Sequence, residues 1–200
     1  MFIMTNVFVD CLRIDGSIRC PGDGGFSDVI VFGKHVRLRK DHPAIELMGR
    51  LDELEAMAEW GIAEIGGEEF RNVAAMATAL NTYLATGDDA WLKPVKDLIN
   101  KVCEIDSKDL GWFIPRDRKT ALLNLLRVKA REAERAAVKL MDDPELPSNK
   151  VRELLGMLNQ LNKYIAHLVF LNNVVVFRNV NEKIGALMGL VSNHETTTFI

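Results

Sequence analysis

The stretch Leu125-Leu126-Arg127-Val128-Lys129-Ala130-Arg131-Glu132-Ala133-Glu134-Arg135 lies in a run, residues 117–141, that holds no Gly or Pro. At about 100° per residue, Arg127, Arg131 and Glu134 share one side of a helix. Leu122, Leu125, Leu126, Ala133, Ala137 and Leu140 share another. The spacing predicts a helix with an apolar stripe for a core and, beside it, a strip of two guanidiniums and one carboxylate. Guanidinium forks match phosphate oxygens two at a time, and a carboxylate beside them suits Mg²⁺. Solvated ion pairs at i,i+3 and i,i+4 are the plainer use of the same residues.

Outward from that run the chain reads as helix after helix. Pro43 suits a first helical turn. Residues 44–65 follow with Ile45, Met48, Leu51, Leu54 and Ala58 on the inner face, and Gly66-Gly67 ends them. Residues 68–86 are alanine-rich and stop at Gly87. A helix over 90–105 is opened by Asp88 or Asp89 as a cap. Residues 107–116, with Trp112-Phe113-Ile114-Pro115, read as a connector. After the break Asp142-Asp143-Pro144-Glu145-Leu146-Pro147, Ser148 is expected to cap a long helix reaching to about residue 177. Its core side is Leu154, Leu155, Leu158, Leu161, Ile165, Leu168 and Val169, and the β-branched Val174-Val175-Val176 leaves its end open. A short helix over 182–190 and a polar tail complete the chain.

Residues 1–42 differ. They lack helical periodicity, and Val7-Phe8-Val9 and Val29-Ile30-Val31-Phe32 read as short extended pieces. Between them Arg19-Cys20-Pro21-Gly22-Asp23-Gly24-Gly25-Phe26-Ser27-Asp28 reads as a tight loop with exposed backbone N–H groups, a weak phosphate-cradle signal without the Gly-Lys-Ser/Thr of a P-loop. The expected fold is all-α: one domain over 1–200, with a Gly-rich segment at 1–42, an antiparallel five-helix bundle at 43–177, and a helix and tail at 178–200.

Composition narrows the functional classes. A net charge of −3 with both signs interspersed argues against nucleic acid held by bulk charge. No run of about 20 apolar residues suggests a membrane span. Cys11, Cys20 and Cys103 share no metal-ligand spacing, which fits a reducing, cytoplasmic setting. His35, His42, His167 and His194 have no common spacing and read as surface or core residues, not ligands.

Three ordered motifs carry a resemblance to the PduO-type ATP:corrinoid (cobalamin) adenosyltransferase family. Gly22-Asp23-Gly24-Gly25-Phe26-Ser27 resembles its Gly-Asp-x-Gly-x-Thr loop. Lys40-Asp41 followed by Glu46-Leu47-Met48-Gly49-Arg50-Leu51-Asp52-Glu53-Leu54 resembles its Lys-Asp and Glu-Ala-x-Gly-x-x-Asp-Glu-Leu block. Arg127 to Arg135 resembles its Arg-x-x-x-Arg-Arg-Ala-Glu-Arg helix. Leu158-Asn159-Gln160-Leu161-Asn162-Lys163 is a weaker match to Leu-Asn-Arg-Leu-Ser-Asp.

The resemblance implies a trimer of five-helix bundles with a site between neighbouring subunits. There the 5′-deoxyadenosyl group of ATP passes to cob(I)alamin and triphosphate leaves. It implies Gly22, Asp23, Gly25, Ser27, Lys40, Arg131, Glu134 and Asn159 as ATP-binding residues and Glu134 as the Mg²⁺ ligand. Asp52, Arg127 and Arg131 would be catalytic, with Asp52 pairing to Arg127 on the corrinoid side. Trp112 or Phe113 would exclude the lower axial ligand of cobalt. A cobalamin-dependent enzyme receiving the product is a further implied partner.

The chain also departs from the family pattern. Arg19-Cys20-Pro21 replaces Thr-Lys-Thr, Pro115-Arg116-Asp117 replaces Pro-Gly-Gly, and Glu132, Gln160 and Lys163 replace Arg, Arg and Asp. Glu132 and Lys163 are expected to compensate each other across two helices. These changes keep two alternatives open: a relative that binds nucleotide or corrinoid without transfer, and a ligand-free trimeric paralogue.

Overall fold

The computed structural model describes residues 22, 24–100 and 111–189. Val7-Phe8-Val9, Arg19-Cys20-Pro21, Asp23, the three cysteines, His194 and the tail lie outside the described residues. The elements are β1 (Phe26–Val31), β2 (Lys34–Arg39), α1 (Pro43–Glu64), α2 (Glu68–Thr86), α3 (Leu92–Ile99), β3 (Trp112–Pro115), α4 (Arg118–Val138), α5 (Ser148–Phe170), β4 (Val174–Phe177) and α6 (Val180–Leu187). No described helix is long and apolar enough to cross a membrane.

Local chemistry sets the helix ends. His42 Nδ1 accepts a hydrogen bond from the Ala44 N–H at 3.1 Å, and Pro43 opens α1. The chain leaves α1 through Gly66 and Gly67, both at positive φ, with the Gly66 N–H returned to the Gly61 carbonyl. Asp88 accepts from the Ala90 N–H at 2.9 Å, as a cap should, but the turn it opens is a 3₁₀ turn that leads into α3. Asp117 accepts from both the Thr120 N–H (2.7 Å) and the Thr120 hydroxyl (2.9 Å), fixing the start of α4. Ser148 is not a cap: it is the first helical residue of α5, after Pro147.

α1 packs on α2 and α4, and α5 packs on α4 and α2, so the four long helices close a ring around one core. The short α3 fills in against α2 and α5, giving the five-helix bundle, while α6 lies outside it against β3 and β4. Leu47, Leu51, Leu54, Leu80, Leu84, Leu123, Leu126, Leu158 and Leu161 are fully buried. In α1 the buried positions are Ala44, Leu47, Leu51, Leu54, Ala58 and Gly61, while Ile45 and Met48 are only half-buried. In α4 the stripe is rotated from expectation. Leu123 is buried and Leu125 is 39% exposed, because α1 and α5 grip this helix from two sides and centre its buried arc between them.

Two small sheets accompany the all-α bundle. β1 and β2 form an antiparallel hairpin whose turn is Phe32-Gly33, both at positive φ. Phe32 tolerates that backbone because its N–H bonds the Leu84 carbonyl at 2.7 Å and its ring meets Tyr83 edge-on at 5.9 Å. The hairpin is thereby riveted to the C-terminal end of α2. The connector 107–116 is in part a strand: β3 pairs antiparallel with β4, Trp112 opposite Phe177 and Pro115 opposite Val174. α5 accordingly ends at Phe170, not near 177, and Val174–Phe177 takes the extended form that β-branched residues favour.

Candidate functional site

The hairpin root gathers the first group of candidates. Gly22 and Gly25 both have positive φ, at 93° and 78°, and the Gly25 N–H bonds the Gly22 carbonyl at 3.0 Å. The Lys40 N–H closes onto the Gly25 carbonyl at 2.9 Å. Lys40 Nζ lies so near that a Cβ on Gly22 would approach it to 3.1 Å. An open depression of about 480 Å³ lies here, lined by Gly24, Gly25, Phe26, Arg39, Lys40 and Asp41. Arg39 is held by Asp41 at 2.7 Å, whereas Lys40 has no carboxylate partner among the described residues. Ser27 stands one position along β1, opposite Leu38, and Asp23 lies outside the described residues.

The second group lies along α4. Arg127 is half-buried, yet its side-chain hydrogen bond goes only to neutral Asn124, at 3.1 Å. Burial, with the like charge of Arg131 added, lowers its pKa from the ordinary guanidinium value. Arg131 is exposed and Glu134 half-buried, and neither forms an ion pair among the described residues. Asn159 on α5 is half-buried, and nearby Asn162 keeps a buried side-chain oxygen without a hydrogen-bond partner among the described residues. The sequence alone does not single out Asn124 or Asn162; the asparagine repeat at 159 and 162 is the signal that points to the latter.

Glu132 turns to the opposite side. It accepts from Lys129 at 3.1 Å and from Arg50 at 3.3 Å, and the same two cations hold Glu53 at 2.7 and 3.1 Å. The expected Glu132–Lys163 pair is therefore not formed. Arg50 of α1 supplies the compensating charge, and Lys163 is exposed. The charge reversal at Glu132 thus belongs to the α1–α4 seam and leaves the Arg127–Arg131 strip unaltered.

That seam has a pH signature. The Lys129 hydrogen bond, aided by Arg50, holds the Glu53 carboxyl below its usual range despite some burial. A carboxyl with a lowered folded-state pKa stabilises above its unfolded value of about 4.3, and that stability is lost as pH falls through the folded value. Glu69 acts in the same sense: burial raises its pKa, but the Lys119 hydrogen bond and its own backbone N–H outweigh it. Urea midpoints should therefore hold constant from neutrality to about pH 5 and drop below about pH 4.5. Glu53→Gln should flatten part of that drop, and an unchanged profile would show the seam to be fully screened.

The third group is the aromatic pair of β3. Phe113 faces inward onto Phe170, edge-on at 5.0 Å, and the Arg127 guanidinium stands 5.8 Å from its ring. Trp112 faces outward and is 50% exposed. The turn that follows holds its path without glycine: the Arg116 N–H bonds the Asn173 carbonyl at 2.9 Å and Asp117 caps α4.

Asp52 joins none of these within one chain. It lies on the α2 side of α1, accepting from Asn81 at 2.6 Å, while Glu53 faces α4. It edges a groove of about 450 Å³ that also includes Val29, Ile30, Met48, Asn81 and Thr82. One face of the molecule thus carries Asp52 beside the hairpin, and another carries Arg127, Arg131 and Phe113.

Comparison with known proteins identifies the fold and the family. Residues 18–170 match the family model described as cobalamin adenosyltransferase. No curated protein sequence matches significantly. Among solved structures, a phenylalanine-to-alanine variant of the PduO-type ATP:corrinoid adenosyltransferase from Lactobacillus reuteri, complexed with cobalamin and ATP, is 21% identical, with a TM-score of 0.52 over 79% of this chain and 97% of that one. A phenylalanine-to-histidine variant, also complexed with cobalamin and ATP, gives 21% identity and a TM-score of 0.53 over 79% and 94%. An arginine-to-lysine variant complexed with ATP gives 20% and 0.51 over 74% and 89%. At these identities the structures establish a shared fold, and the family match spans more than half of the sequence. The chain belongs to the cobalamin adenosyltransferase family.

Proposed function

We propose that the protein transfers the 5′-deoxyadenosyl group of ATP to cob(I)alamin. The observation that carries this reading is the α4 strip: a half-buried Arg127 and an exposed Arg131 without carboxylate partners among the described residues, beside an aromatic wall. A half-buried guanidinium with only a neutral partner has lost hydration and is stabilised by an incoming anion.

The reaction suits such a site. Cobalt(I) is the nucleophile: its electron pair forms the Co–C bond at the ribose 5′-carbon as the C–O bond breaks, and triphosphate departs with that electron pair. The protein supplies no nucleophile and no general base. It aligns the two substrates and stabilises the leaving group. Arg131, Lys40 and the loop at Gly22 and Gly25 hold the triphosphate, Asn159 and Ser27 orient the nucleotide, and Trp112 with Phe113 keeps water and axial ligands from cobalt. Mg²⁺ would shield the triphosphate. Glu134 would be its protein ligand, and Mg²⁺ accepts few carboxylates when phosphate oxygens and waters complete its shell.

Asp52 and Arg127 lie on different faces of one chain, so their pairing requires a second copy. The acidic groove beside the hairpin of one subunit would meet the α4 strip of the next, closing a homotrimer with a site at each junction. Sedimentation should give three times the chain mass, and a monomer at micromolar concentration would remove the site as drawn. A cytoplasmic location and delivery of the product to a cobalamin-dependent enzyme complete the proposal.

The deciding assay mixes the protein, Mg-ATP and anaerobically generated cob(I)alamin and follows loss of the cob(I)alamin band. Turnover establishes transfer. A folded trimer that binds ATP without turnover identifies a binding relative, and one that binds neither ligand identifies a scaffold.

A further inference from the structure

The family match ends at residue 170, and β4 and α6 lie beyond it. They nevertheless build onto the aromatic wall. β4 pairs along the whole of β3, and α6 packs against both strands. Lys183 of α6 places its Nζ 5.9 Å from the Trp112 ring and 5.9 Å from the Phe113 ring. Alternate side chains of a strand point to opposite faces, so an ammonium near both rings stands at the edge between the buried ring and the exposed one. Lys183 is half-buried and has no carboxylate partner among the described residues. Its neighbour Glu182 is engaged in capping α6, accepting from the Arg178 and Asn179 side of the helix start. Arg127 approaches the same Phe113 ring at 5.8 Å. Two cations therefore border the Phe113 ring, and Lys183 also borders the exposed Trp112 ring, with no described carboxylate to neutralise them. Such a surface suits a broad apolar ligand that carries an anion at its margin.

We propose that Lys183 is a specificity residue that selects corrinoids carrying the phosphodiester of the lower nucleotide loop. This rests on the adenosyltransferase reading. The periphery of a corrin macrocycle bears neutral amides, and that phosphodiester is the one anion of a complete cobalamin; cobinamide lacks it. The triphosphate of ATP is the other source of the same chemistry. The corrinoid is favoured because the ammonium stands on the aromatic pair assigned to the corrin.

The test is equilibrium binding of cob(II)alamin and cob(II)inamide, read by absorbance in the presence of Mg-ATP, with ATP affinity measured separately by calorimetry. Wild-type protein should bind cob(II)alamin the tighter of the two. Lys183→Ala should weaken cob(II)alamin about five- to tenfold while shifting cob(II)inamide and ATP less than twofold, Lys183→Arg should restore the preference, and the preference should shrink with added salt. Equal weakening of both corrinoids would reduce Lys183 to a packing role and overturn the proposal. Selective loss of ATP affinity would reassign the anion to the nucleotide and overturn it as well. Wild-type protein that binds neither corrinoid would remove the adenosyltransferase reading itself, an outcome distinct from binding both without a Lys183 effect.

Discussion

Arg131→Ala should abolish ATP binding, with affinity falling at least about a hundredfold. A bidentate guanidinium–phosphate contact comprises two charge-assisted hydrogen bonds of roughly 1.5–3 kcal/mol each, and about 2.7 kcal/mol is already a hundredfold. The fold should not register the change. Arg131 is exposed and forms no ion pair among the described residues, and such surface substitutions stay within about 0.5 kcal/mol. For a chain of this size that is a shift of about 2 °C or less in Tm. Arg131→Lys keeps the charge but loses the planar fork, so it should fall between wild type and alanine. Calorimetric titration with Mg-ATP, paired with a thermal melt, separates the cases. Unchanged affinity would make Arg131 a solvated surface charge and would take the α4 strip out of the site.

The second large effect is structural and lies where α1 and α2 come closest. Gly61 is buried within α1, and a Cβ placed on it would sit 2.5 Å from Phe70 Cδ1 and 2.8 Å from Cγ. The Phe70 ring, fully buried, thus rests directly on the α1 backbone. Phe70→Ala should cost about 3–5 kcal/mol, the usual range for a buried aromatic truncated to a methyl. Gly61→Ala gains roughly 1 kcal/mol of helix propensity, but overpacking against a ring with nowhere to move costs about 1–3 kcal/mol. It should therefore be neutral to destabilising, where an exposed helical glycine would give a clear gain. Because the two side chains would occupy the same space, Gly61→Ala combined with Phe70→Leu should cost less than the sum of the single changes. Additive urea denaturation energies would show that the ring and the glycine do not share a contact.

Much of this arrangement was legible along the chain. Pro43 and Gly66-Gly67 bracket α1, and Gly87 stops α2, because these residues act on the backbone beside them and need no distant partner. The period of residues 117–141 placed Arg127, Arg131 and Glu134 on one strip. Their likeness to a family helix motif pointed to nucleotide chemistry before any packing was known.

What the sequence left open depended on partners far away along it. Lys34–Arg39 alternates Val36 and Leu38 with arginines, a strand pattern, but it is a strand only because β1 pairs with it and Phe32 anchors the turn to α2. Trp112–Pro115 and Val174–Phe177 are too short to be strands alone; each is extended because the other satisfies its backbone. The choice of Leu123 over Leu125 for the core was made by the two helices that flank α4. Glu132, expected to pair with Lys163, sits instead in the α1–α4 seam, where Arg50 and Lys129 meet it on the far side of the helix. Periodicity fixes which residues share a face, and a helix can present that face in any direction. The direction was set by the contacts of α1 and α5, so the sequence determined the content of the strip while the tertiary structure decided where it points.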